Sequence, residues 1–304
     1  MRLPLPIFAK PALSADDLVA LLVRRGLAVD DREAAKWALD RLGYYRLSAY
    51  MLPLQRGGGG PDRHDFQPGH SFDTVLKLYR FDRSLRLSTF GATEHVEVAF
   101  RAAISDHMSR KAGPHWFLDP RNLAPTADHA RLLARLEDDI GHTPAHAHKR
   151  TVAIRHYYAS YDAPRLPPSW MVLEALSFGA VSQIFRLLEN RDRKTIAQSF
   201  GIDDSVLQSW THAISYTRNI CAHHARLWNR MFTIKPMVAR VYYADLTPNT
   251  TFYAQAVAIQ ILLRNNSADF DWSADLNALL TAHPTIAPAA LGFPAGWSAR
   301  PIWR

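Results

Sequence analysis

One cysteine, Cys221, in 304 residues excludes an intramolecular disulfide and the disulfide-framed folds of small secreted proteins. Long hydrophobic runs are missing too. The most apolar stretch, residues 252–263, has 12 residues and carries Gln255 and Gln260, against the roughly 20 apolar residues that cross a bilayer. The opening MRLPLPIFAK lacks the apolar centre and small-residue cleavage site of a secretory signal. The chain is therefore expected in the cytoplasm, with no membrane contact. Strand-type alternation is absent, as are internal repeats and any low-complexity tract longer than glycines 57–60. Acid is the scarcer charge: 36 Lys and Arg face 28 Asp and Glu, for a formal net charge of +8. That excludes an acidic scaffold and is compatible with binding a polyanion, without requiring it. Hydrophobic residues at 48% supply a sizeable core.

The patterning that is present is helical. Ser14 and Asp17 have capping-box spacing ahead of Leu18, Leu21 and Leu22, with Gly26 at the stop position. Asp30 with Glu33 repeats the arrangement before Ala35, Ala38, Leu39 and Leu42, closed by Gly43. An N-terminal helical region with a helical hairpin is thus expected over 1–56, and a flexible Gly/Pro loop over 57–70. A helical core with an extended tail is expected over 71–304. Within it the spacing predicts two helices meeting near Gly91 over 71–108, one over 129–140, and one over 170–188 introduced by Pro168. A segment capped by Asp203 carries the stripe Val206, Trp210, Ala213 and Thr217 into residues 218–224. Helices follow near 251–264 and 274–280, with an extended end over 292–304. Trp170 and Trp210 are assigned to the core, and the fold class is all-α.

The densest chemistry lies at 218–230, where Arg218, Asn219, His223, His224, Arg226, Asn229 and Arg230 crowd together. An imidazole trades protons near neutral pH, and a guanidinium forks onto phosphate oxygens. RNA brings its own nucleophile, the 2′-hydroxyl, so a histidine and an arginine form a sufficient set for cleaving it without a metal. Helix geometry qualifies this. Arg218 and His223 are five residues, about 140°, apart on a straight helix. Either the helix breaks between them, or the arginine's length spans the gap, or two copies meet across a two-fold axis and pool their side chains.

The segment RNICAHHARLWNR resembles the R-x4-6-H signature of HEPN ribonucleases in the form found in Abi-like (abortive infection, AbiD/AbiF-type) proteins. The resemblance extends in order through LLVRRGLAVDD, RLGYYRLSAYMLPL, LYRFDRSLR, Glu97 with Arg101, RHYYASYDAPRLPPSWMVLEALSFG and LGFPAGWSARPIW. It implies a HEPN-like bundle, a homodimer, and metal-independent endoribonuclease activity of toxin or antiviral defence type, with RNA as substrate and an antitoxin or non-coding RNA as a further partner. Carried onto this sequence, Arg218 and His223 match the signature, Asn219 the polar residue after its arginine, and His224 the second histidine. His223 is favoured over His224 as acid–base. Arg226 and Arg230 stand equally as lining for an RNA path or as a solvated face.

Three other features carry blander readings. Cys221, His223 and His224 do not make a zinc site, since a structural site takes about four ligands and adjacent helical residues diverge by about 100°. No metal or cofactor is expected. Glu174, in SWMVLEALSFG, is a carboxylate in an apolar segment that calls for a partner, either a structural arginine or a supporting role at Arg218 or His223. The alternatives to an enzyme are a non-catalytic RNA-binding module for a cognate regulatory RNA, and a helical adaptor without salt-dependent RNA affinity.

Overall fold

The computed structural model describes residues 9, 11–266 and 270–304. Thirteen α-helices linked by short 3-10 turns account for the architecture, with no β-sheet among the described residues. The all-α class is what the patterning predicts. The chain divides into two compact units, Met1–Ser84 and Leu85–Arg304.

In the first unit, α1 (Ala15–Arg24) opens on the full Ser14/Asp17 capping box. It packs on α2 (Arg32–Leu42), burying Val19 and Leu22 near Ala35, Ala38 and Leu39. The cap of α2 is Asp31, whose side chain accepts from the Ala34 amide, one residue after the expected Asp30. Gly43, at φ 81°, takes a backbone geometry that favours glycine, and α3 (Tyr44–Met51) starts at once. The glycine loop is tied at its neck by bonds from the Arg56 amide to the Asp65 carbonyl and from Gly57 to Arg63.

Helix α4 (Phe72–Ala112) is one uninterrupted helix of 41 residues. The expected break at Gly91 does not occur. A mid-helix glycine costs about 1 kcal/mol relative to alanine, less than the apolar row of Leu85, Ala92, Val96, Phe100, Ile104 and Met108 contributes by being buried on either side of it. After α5 (His129–Asp139) and α6 (Val152–Ser160) comes the second departure. The segment predicted as one helix is α7 (Ser169–Ala175) and α8 (Phe178–Leu187). Ser177 caps α8, accepting from the Ala180 amide at 3.3 Å. The buried Arg101 guanidinium donates to the Leu173 and Leu176 carbonyls that α7 leaves open. A side-chain cap on one helix and an arginine on the other make two short helices satisfiable where one was expected.

The remaining helices, α9 (Asn190–Ser199), α10 (Asp204–Ala222), α11 (Tyr243–Leu246), α12 (Phe252–Asn266) and α13 (Trp272–Ala282), complete the second unit. Its centre is α12, buried along 252–263. Gln255 is satisfied there, donating to the Ile234 carbonyl at 2.9 Å and accepting from Thr217 at 3.2 Å. No helix among the described residues is long and apolar enough to cross a membrane. Helix α10 packs against α8, α9 and α12, with Leu207, Trp210, Ala213, Ile214 and Thr217 fully buried. The tail at 292–304 is not extended: two 3-10 turns fold it over α12 and bury Trp297, Ile302 and Trp303.

Candidate functional site

The site is built around the C-terminal end of α10. Its last turn closes as a Schellman motif, the Ala225 amide donating to the Ile220 carbonyl at 2.9 Å and the His224 amide to Cys221 at 3.0 Å. His223 is the C-cap, and His224 takes the left-handed position with φ 57°. Asn219, His223 and His224 are all exposed, and the His223 imidazole makes no hydrogen bond among the described residues.

Beyond the turn the chain folds back along α10. Leu227, Trp228 and Phe232 are buried, the Trp210 indole donates to the Met237 carbonyl at 2.9 Å, and the Ser209 hydroxyl accepts from the Met237 amide at 2.8 Å. Arg230 donates to the Arg226 carbonyl at 3.1 Å and approaches the Tyr216 hydroxyl at 3.5 Å. Hydrogen bonds from Thr233 and Arg230 hold the Tyr216 phenol below its ordinary pKa. Arg230 thus ties the returning segment to α10, while the Arg226 guanidinium lies 5.9 Å from the Trp228 ring centre. Both arginines are half-buried.

Arg218 leaves α10 on another side. Its guanidinium sits 5.2 Å from the centre of the Phe90 ring and its Nε lies 3.6 Å from Glu97 Oε2. The other carboxylate oxygen of Glu97 pairs with Arg101. One carboxylate thus bridges a buried arginine to a side chain that remains about one-third exposed at 35%. The helix ends after Ala222, yet Arg218 and His223 do not contact each other in one chain.

The carboxylate at Arg218 is therefore Glu97. Glu174 is exposed on α7 and makes no ion pair with Arg218 or with another arginine among the described residues, because it lies on the face of that short helix turned away from Val172 and Leu173. Trp170, one turn earlier on that face, is 48% exposed, whereas Trp210 is buried as expected. Sequence reasoning assigned no role to Phe90, and none to Glu97 and Arg101 beyond resemblance. The signal for the latter pair is a carboxylate and a guanidinium at i, i+4 inside an apolar stripe. No group of three or more metal-ligating side chains occurs among the described residues.

Residues 37–229 match the model of a family described as Abi-like protein. No curated protein and no solved structure matches the chain. The family match ends within the cluster, including Arg218, Asn219, His223, His224 and Arg226 but not Arg230.

Proposed function

The chain belongs to the Abi-like protein family, whose description places it with abortive infection, and on that premise we propose that it is a metal-independent endoribonuclease with a site shared across a homodimer. The observation that carries this reading is the presentation of His223 and Arg218. An unengaged imidazole stands at the end of a rigid helix, and a partly exposed guanidinium is aimed by Glu97 and Phe90. His223 takes the 2′-hydroxyl proton as that oxygen bonds to phosphorus, and an imidazolium returns a proton to the departing 5′-oxygen. The products are a 2′,3′-cyclic phosphate and a 5′-hydroxyl. Arg218 neutralises the charge building on the phosphoryl oxygens, and Asn219 with His224 orients the strand. Acid–base help of this kind contributes about 10² to 10⁴ in rate.

The dimer supplies what one chain leaves apart. Leu87 and Val98, eleven residues apart and so on nearly the same face of α4, are 58% and 55% exposed. These two exposed apolar side chains, with Glu94 between them, support docking of a second copy next to Arg218.

Incubating the protein with single-stranded RNA in excess chelator tests the chemistry. Cleavage is expected to persist and to stop when the scissile nucleotide carries 2′-deoxyribose. Activity restored only by a divalent metal, or cutting of the deoxy substrate, overturns it. One observation favours a second reading, a non-catalytic RNA-binding module: the Arg218 guanidinium is already engaged by Glu97, a carboxylate it shares with Arg101. Under that reading Arg218→Ala weakens binding with no cleavage to lose. Under the first, His223→Ala removes cleavage and leaves binding within about twofold, since a neutral imidazole adds little to phosphate affinity.

A further inference from the structure

A groove on the second unit runs between α4 and α7, away from the end of α10. Its framework is fixed at both ends. At one, the Ser109 and Ser169 hydroxyls are 2.8 Å apart and the Ser169 amide donates to the Pro114 carbonyl at 2.8 Å. At the other, Arg101 holds the Leu173 and Leu176 carbonyls. Between these pins Trp170 and Glu174, one turn apart, face the small side chains Ala102 and Ser105 across a cavity of about 490 Å³. That volume falls in the range of small-ligand sites. The small residues of α4 leave the space; Trp170 is the wall. A tryptophan 48% exposed on a helix pinned at both ends is a preformed flat surface, and stacking a base on such a surface costs little ordering.

The charges in the groove select among ligands. Arg101 is engaged by Glu97, and Arg110 pairs with Asp106 at 2.7 Å. That leaves Glu174 as a carboxylate with no ion-pair partner among the described residues. The charged side chains that line the groove, Arg101 and Arg110 against Asp106 and Glu174, sum to zero, so it offers a phosphate no excess positive charge. What it offers is an aromatic face beside a hydrogen-bond acceptor. Arg101 also joins this groove to the candidate site, since it lies one helical turn, about 6 Å of rise, from Glu97 on α4.

We propose that this groove is a base-recognition subsite for single-stranded RNA, in which Trp170 stacks on one base of the bound strand and Glu174 accepts a hydrogen bond from its exocyclic amino group. The subsite prefers adenine, which carries that amino group, to uracil, which does not. The proposal rests on the RNA-cleaving reading of Arg218 and His223 and adds the feature that selects where the strand is held.

The test uses the full chain carrying His223→Ala, so that RNA is bound without being cut, and dye-labelled oligo(A) and oligo(U) read by fluorescence anisotropy. The His223→Ala protein is expected to bind oligo(A) more tightly than oligo(U). Adding Trp170→Leu should weaken oligo(A) binding by about fivefold or more, and Trp170→Phe should restore most of the loss. Adding Glu174→Gln, which keeps size and removes the charged acceptor, should narrow the difference between the two oligonucleotides. Equal affinities with and without Trp170 overturn the subsite. So does a loss in Trp170→Leu that accompanies dissociation of a dimer in sedimentation, which would make the groove a protein interface. Circular dichroism and the thermal midpoint check the fold, and the Glu174→Gln preference is an independent readout. If the unmodified chain cuts RNA through Arg218 and His223 while the groove variants change nothing, the subsite falls and the nuclease stands. If it neither binds nor cuts RNA, both fall.

Discussion

His224 carries an imidazole in left-handed backbone, φ 57°, where glycine is the residue of least cost. Replacing it by glycine removes a steric penalty of about 1 kcal/mol and keeps the Schellman bonds, which are made by backbone atoms. His224→Gly also gives the unfolded chain more freedom and removes the imidazole's own interactions, so the urea-unfolding free energy is expected to change by less than about 1 kcal/mol. The same variant separates the two histidines: if His223 is the acid–base, cleavage by His224→Gly falls by less than about tenfold, far short of the loss in His223→Ala. A loss as large as that of His223→Ala reverses the assignment. Glu97 acts at one remove, through Arg218, so Glu97→Gln should lower kcat by about tenfold to a hundredfold by loosening the guanidinium, with little change in KM. A change confined to KM would make Glu97 part of strand binding instead. The candidate residues at this scale were legible because arginine, asparagine and histidine announce themselves by type. The identity of the carboxylate was not, because Glu97 and Arg218 lie 121 positions apart and meet only through the packing of α4 and α10.

Helix α4 shows where local signals and packing part. Gly91 reads as a joint, yet nothing lies within 4 Å of a Cβ built on it, and its backbone is helical. Gly91→Ala is accordingly expected to stabilise the protein by about 0.5–1 kcal/mol, measured as a higher denaturant midpoint at unchanged m-value. A destabilisation would mean that the helix bends there in solution. The opposite error occurs at α7 and α8, where unbroken apolar periodicity hides a break. Ser177 is the visible cue, since serine followed by a helical run is a capping signal. Its partner in breaking the helix, Arg101, is 75 residues away in sequence from Leu176. Helix ends whose caps are local, such as Ser14/Asp17 and the glycine at 43, were read correctly or within one residue. Those settled by distant side chains were not.

At the scale of the whole molecule the open question is which chains build one site. The geometry of α10 separates Arg218 from His223 within a chain, and a two-fold axis offers the way to unite them. A mixing experiment decides it. Arg218→Ala and His223→Ala proteins are each expected to be inactive as homodimers. When the two are unfolded together and refolded in equal amounts, half of the dimers are mixed. A mixed dimer has one site with both intact side chains, Arg218 from one protomer and His223 from the other, and one site with neither. Recovery of about a quarter of unmutated activity is therefore the expected result, because half of the dimers carry half of their sites. A site wholly contained in one chain predicts no recovery at any ratio, since each chain lacks one of the two groups. Recovery should also follow the product of the two concentrations when one variant is varied at low excess, as a shared site requires. Persistent inactivity of the mixture, with mixed dimers shown to form, would confine the chemistry to a single protomer and require Arg218 to swing from Glu97 and Phe90 toward His223.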